Sequence, residues 1–283
     1  MSKLLVSGIF TLALLITGCS NKTVEVTSDS NEPVGKEIST YLVGQYIDIK
    51  TAKAKLEEVG FEILATYSAV KKGTTIVFTN NELKSEGAKP GKAHIAVSRL
   101  FIDDQAKSIS FTNPIYFGKA YMQDKYNHEV FKSILQKIHK AFPGLKDSTD
   151  KMNFDELAGY HFMIGMPYYT DSDELGEGTN SELLVKAKKY KKGKQIIFEL
   201  KLSDTSTLLG YDLGKRTKKF VKKIGRANGA ILPYTISIEN GTASSMEAKY
   251  YIALSYPLLS MGEFTTIATV PGSIAKDLAK PFK

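Results

Sequence analysis

The residue types able to do chemistry in this chain are few and widely spaced. The four histidines, His94, His128, His139 and His161, fall in no HxxxH or HExxH pattern and none has a cysteine partner at metal-ligand spacing. The spacing therefore predicts no metal site and no cofactor. Gly87–Lys92 (GAKPGK) and Gly210–Lys215 (GYDLGK) look like phosphate loops, but each is one residue short of G-x4-GK. Ala93 and Arg216 stand where a magnesium-binding hydroxyl is needed, so both read as turns. Four carboxylates crowd into Asp171–Glu177 without EF-hand order and read as a solvated loop. No G-x-S-x-G elbow is present. What remains is His94, Tyr234 and Tyr256, each at the start or end of an expected strand. Catalytic residues are not assignable from the sequence, and these three are the candidate ligand contacts.

The single cysteine, Cys19, has a different chemistry. One cation at Lys3 precedes an uncharged, mostly apolar run from Leu4 to Ile16, closed by Ile16-Thr17-Gly18-Cys19. A basic start, a short apolar run and small residues describe a secretory signal, residues 1–18, rather than a membrane span of ~20 residues. The last four residues resemble the lipobox of bacterial lipoproteins. That resemblance implies acylation of Cys19 (palmitate or a similar chain), which becomes the new amino terminus. Two or three acyl chains anchor a protein effectively permanently. Ser20 in place of aspartate implies, by the enterobacterial pattern, the outer membrane facing the periplasm. Residues 19–40 then serve as a polar tether, and the chain beyond Cys19 is expected to be soluble.

The formal charge of +8 is concentrated. Residues 181–228 hold fourteen Lys or Arg against Glu182, Glu199, Asp204 and Asp212, which leaves the rest slightly acidic. Such a face suits an anionic envelope component, the alternative being an ordinary solvated lysine surface. Nucleic acid is not expected beside a secretory signal.

The elements that must position these residues are predicted to occur twice. Lys71-Lys72-Gly73 with Ile76–Phe78 returns as Lys191-Lys192-Gly193 with Ile196–Phe198, at an offset of 120 that also aligns Glu62–Leu64 with Glu182–Leu184. Ala93–Asp104 (AHIAVSRLFIDD) aligns with Gly229–Asn240 (GAILPYTISIEN), and Ile109–Tyr121 with Ile252–Phe264, placing Pro114 on Pro257. Expected domains are a first α+β repeat at 41–145 and a second at 150–283. Each carries a hairpin, at Leu100–Phe111 and at Ile236–Leu254, the latter turning at Asn240-Gly241. Helices are predicted at Thr51–Val59, Asn127–Phe142, Lys215–Gly225 and Pro271–Leu278. The first repeat is expected to lack the helix between its central strands.

These blocks resemble domain-of-unknown-function family 302. Its strand start, acidic turn and A-L-x-P-L run have counterparts in Ile231-Leu232-Pro233, Glu239 and Ala253–Leu258. The family's helix-then-GF opening is similar to Lys55–Phe61. The resemblance implies an α+β domain with a mostly antiparallel sheet, and no particular chemistry. The leading reading is a non-enzymatic, lipid-anchored binding module. The competing reading is an enzyme with a small-molecule site in the groove between the repeats.

Overall fold

The computed structural model describes residues 32–283, so Cys19 and the signal segment lie outside the described residues. The chain enters through β1 (Glu37–Ser39), placed by composition at the end of the tether, and β2 (Tyr41–Gln45). Asp48 accepts from the Thr51 amide and so caps α1 (Ile49–Glu58), which buries Ala52 and Leu56. A hairpin follows, β3 (Glu62–Val70) and β4 (Gly73–Thr79), then α2 (Asn81–Gly87) and a 3₁₀ turn at Ala93–Ala96. The second hairpin is β5 (Ser98–Asp103) and β6 (Ser108–Thr112). Asn113 caps α3 (Pro114–Met122), and α4 (His128–Ala141) buries Phe131, Ile134 and Ile138 at helical spacing. A two-residue strand, β7 (Lys146–Asp147), pairs with β2 within the expected linker.

The second half opens with β8 (Lys151–Asn153), paired with β1, and α5 (Phe154–Leu157). It continues through β9 (Asp173–Glu177), α6 (Asn180–Lys189), β10 (Ile196–Lys201) and β11 (Ser206–Tyr211). Next come α7 (Phe220–Ile224), a 3₁₀ segment at Arg226–Ile231, β12 (Tyr234–Glu239) and β13 (Thr242–Ser245). Three helices close the chain: α8 (Ala248–Ser255), α9 (Met261–Thr266) and α10 (Val270–Ala279). No described helix is long and apolar enough to cross a membrane.

The fold is α+β with antiparallel pairing in all three sheets. The first main sheet runs β3-β4-β5-β6-β2-β7 and the second runs β10-β11-β12-β13-β9. Apart from the extra β7, strands of corresponding place in the chain take the same place in the two sheets. The correspondence corrects part of the sequence alignment. Glu62–Leu64 lies in β3, whereas Glu182–Leu184 lies in α6, so the offset of 120 pairs a strand with a helix. Ile109–Thr112 is β6, whereas Ile252–Ser255 is helical, so Pro114 is not the counterpart of Pro257. Lys249–Leu254 is a helix rather than the return strand. Glu247 caps it, accepting from the Lys249 and Tyr250 amides, and β13 makes the return. The helix expected to be missing from the first half is present as α2, capped by Asn80. The block Ala93–Asp104 with Gly229–Asn240 does match element for element, a 3₁₀ turn leading into β5 or β12. The Asn240-Gly241 turn has φ of 50° and 86°, the left-handed pair that a tight hairpin needs.

The two halves exchange their connectors. Ala93 and Ala96 of the first half pack on Phe198, Leu200 and Leu208 of the second sheet. Reciprocally, the Arg226–Ile231 segment lies against the first sheet, where Thr75 donates to the Gly229 carbonyl and Ser110 to the Ala227 carbonyl. Gly229 sits close enough to the Phe101 ring that an added Cβ would come within 2.6 Å of it.

Candidate ligand-binding cleft

The three candidate residues separate in the fold. His94 lies on the exchanged connector of the first half, with Nδ1 2.8 Å from Oγ1 of Thr235. Burial, helped by the nearby charge of Arg99, pushes its pKa down to about 3, so the ring is neutral at physiological pH. Tyr234 is fully buried and donates to the Met246 carbonyl at 2.7 Å. Tyr256 donates to the carbonyls of Gly225 and Asn228. Burial raises the pKa of both phenols, and neither is an acid or base near neutral pH. His94 and Tyr256 line different clefts, and Tyr234 lines neither.

The His94 cleft has a volume of about 420 Å³ and lies where the first connector meets β12 and β13. Its walls are held by contacts that cross between the halves. The Gly91 amide donates to both oxygens of Glu239, and Gly91 takes φ of +70°, a conformation that suits glycine. The Tyr169 hydroxyl donates to the Gly91 carbonyl, and its ring stacks on Tyr121 at 5.3 Å. Lys92 donates to the Tyr121 carbonyl and to Oε1 of Gln123, with its ammonium 4.7 Å from the Tyr169 ring centre. Burial lowers its pKa, and Asp124 partly opposes that shift. Ser237 and Ser244 add hydroxyls to the lining.

The cleft is open because of one exchange of size. On β5, Arg99, Phe101 and Asp103 face the second connector, meeting Pro233, Gly229 and Arg226. On β12, the corresponding Thr235, Ser237 and Glu239 face the first connector. Phe101 fills its place against Gly229. Ser237 leaves the equivalent place empty. The result is a space lined by an aromatic face, hydroxyls and both signs of charge, suited to hold a small polar molecule.

The other sequence features resolve differently. In the Gly210–Lys215 loop, the Gly214 amide donates to the Asp277 carboxylate, which also accepts from Thr217. A carboxylate thus occupies the place a phosphate would need. The acidic stretch Asp171–Glu177 contributes β9, where burial and the Glu247 charge raise the Asp173 pKa. Among the described residues, no three His, Cys, Asp or Glu side chains gather as a metal site. A larger groove of about 720 Å³ runs beside β2 and the Ala141–Lys146 turn, and its Lys55 is spent on the Ala141 carbonyl. Tyr169 was not singled out by the sequence, and Lys92 and Glu239 stood there only as parts of turns; the signal that could have found the cleft is the Phe101–Ser237 difference in the Ala93–Asp104 alignment. No protein-family model, curated protein or solved structure matches the chain.

Proposed function

We propose that this is a lipid-anchored envelope protein, tethered through Cys19 to the outer membrane and facing the periplasm. Its folded part binds a small polar ligand without transforming it. The two halves are proposed to be tandem copies of one α+β domain, similar to domain-of-unknown-function family 302. Their common strand order supports that reading. The observation that carries the binding assignment is the plugged and open pair, with Phe101 filling one half and Ser237 leaving the other open beside His94. Binding is favoured over catalysis because each candidate acid or base is engaged by a backbone carbonyl or a hydroxyl.

Substituting Ser237→Phe rebuilds in the second half the plug found in the first. Protein purified from envelopes in mild detergent is to be compared with this variant by native mass spectrometry. The expected outcome is a bound small molecule on the parent chain that is lost in Ser237→Phe. An identical ligand load on both proteins, or none on either, overturns the assignment.

A further inference from the structure

We propose that the corner formed by α7, α9 and the Phe162–Ile164 loop is a second membrane contact, fitted to an anionic bilayer surface. It draws on the reading above only for the presence of a bilayer. Leu258, between α8 and α9, is 66% exposed, and Met261, the first residue of α9, is 50% exposed. Phe162 stacks on Phe264 of α9 with ring centres 5.7 Å apart, which brings in the loop carrying Met163 and the 97%-exposed Ile164. Large aliphatic side chains held this far into water are unusual when they cluster, and clusters of this kind mark contact surfaces.

The charge around them selects the occupant. The end of α7, Ile224 and Gly225, shares a cleft wall with Leu258 and Leu259, and Lys223 donates to the Thr266 carbonyl at the end of α9. The basic stretch that runs into this corner exposes Lys215, Arg216, Lys219, Lys222 and Lys223. None of the five forms an ion pair among the described residues, whereas Lys218 and Arg226 are paired with Asp212 and Asp103. Glu263, the carboxylate of α9, is held by the Ser260 amide and hydroxyl in a capping box. Asp147 and Asp150 line the same cleft and set the acidic limit of the patch. Aliphatic tips beside unpaired lysines match an interface whose core is apolar and whose headgroups are negative.

The chain contains no tryptophan, so an introduced indole reports on its own site. The full chain carrying Met261→Trp is to be mixed with vesicles of phosphatidylcholine alone, or of phosphatidylcholine with phosphatidylglycerol. Leu258→Trp provides a second, independent reporter. With anionic vesicles the emission is expected to shift to the blue and to be quenched by brominated acyl chains. Adding Lys219→Glu, Lys222→Glu and Lys223→Glu should abolish both effects, since each cation near an anionic surface is worth about fivefold in partitioning. Emission that stays at its value in water, with the protein bound to vesicles or free, overturns the proposal. A blue shift in buffer without lipid overturns it in favour of a second copy covering the patch. The indole reports on this corner however the amino terminus is attached, so a failed anchor and a failed contact give different results.

Discussion

Arg226 grips Asp103 across the two halves, its Nε and Nη2 each 2.8 Å from a different carboxylate oxygen. The same guanidinium donates to the Lys72 carbonyl, and Asp103 also accepts from the Gln105 and Ala106 amides. Burial alone would raise the carboxyl pKa, but Arg226 and the two amides outweigh it and hold the value below the usual range. Arg226→Ala should therefore cost about 3–5 kcal/mol, because it leaves a buried carboxylate without its cation. Arg226→Lys should recover only part of this, having charge but no fork. Because the folded pKa lies below the unfolded one, this contribution is complete above about pH 4 and is lost as the pH falls further. Urea unfolding at neutral pH and below pH 4 measures both effects, and Arg226→Ala should weaken the acid dependence.

His94 should give a pH dependence in a different window. Its folded pKa of about 3 lies below the value of about 6.5 expected in the unfolded chain. Between these values the unfolded state binds a proton that the folded state refuses. Stability should then fall on acidification by up to about 1.4 kcal/mol per pH unit. His94→Gln should flatten the curve between pH 6.5 and 4.5. Parallel curves for the two proteins would mean that the buried ring is not neutral.

Gly210 on β11 tests the packing of the second sheet. A Cβ there would run into the Phe198 ring. Gly210→Ala should destabilise by about 1–3 kcal/mol through overpacking. Combining it with Phe198→Leu should cost less than the sum of the two single changes, which a double-mutant cycle reads directly.

Cys19→Ala tests the anchor. The variant should accumulate as precursor or leave the membrane fraction after a high-salt wash. Lysine contacts alone are screened at that ionic strength. A processed Cys19→Ala protein that stays in the washed pellet would require another anchor.

Parts of this fold were legible because their signals are local. The stripe of Phe131, Ile134 and Ile138 gave α4, and Asn240-Gly241 gave the turn between β12 and β13. Helix α8 was not legible, since Tyr250, Tyr251, Ile252, Ala253 and Leu254 are all buried and leave no polar face to set a period. Its tyrosines and isoleucine read as strand residues until the Glu247 cap is considered. The offset of 120 came from Lys-Lys-Gly occurring in unlike places, the turn from β3 to β4 and the end of α6. The cleft showed in the sequence only through His94, the Gly87–Lys92 turn and the alignment of Phe101 with Ser237. Its meaning depends on which connector each residue faces, and that is set by contacts more than a hundred residues apart.

The exchange of connectors also governs how the chain acquires its structure. Neither sheet covers its inner face with its own half: Thr75 and Ser110 wait for Gly229 and Ala227, while Phe198 and Leu208 wait for Ala93 and Ala96. A half released by cleavage near Ser148 would expose that strip of carbonyl acceptors, hydroxyls and apolar side chains to water. Whichever half forms first therefore holds an unfinished surface until the other joins it. Residues 32–283 should therefore melt as one cooperative body, and the two fragments, mixed, should restore a fold that neither reaches alone.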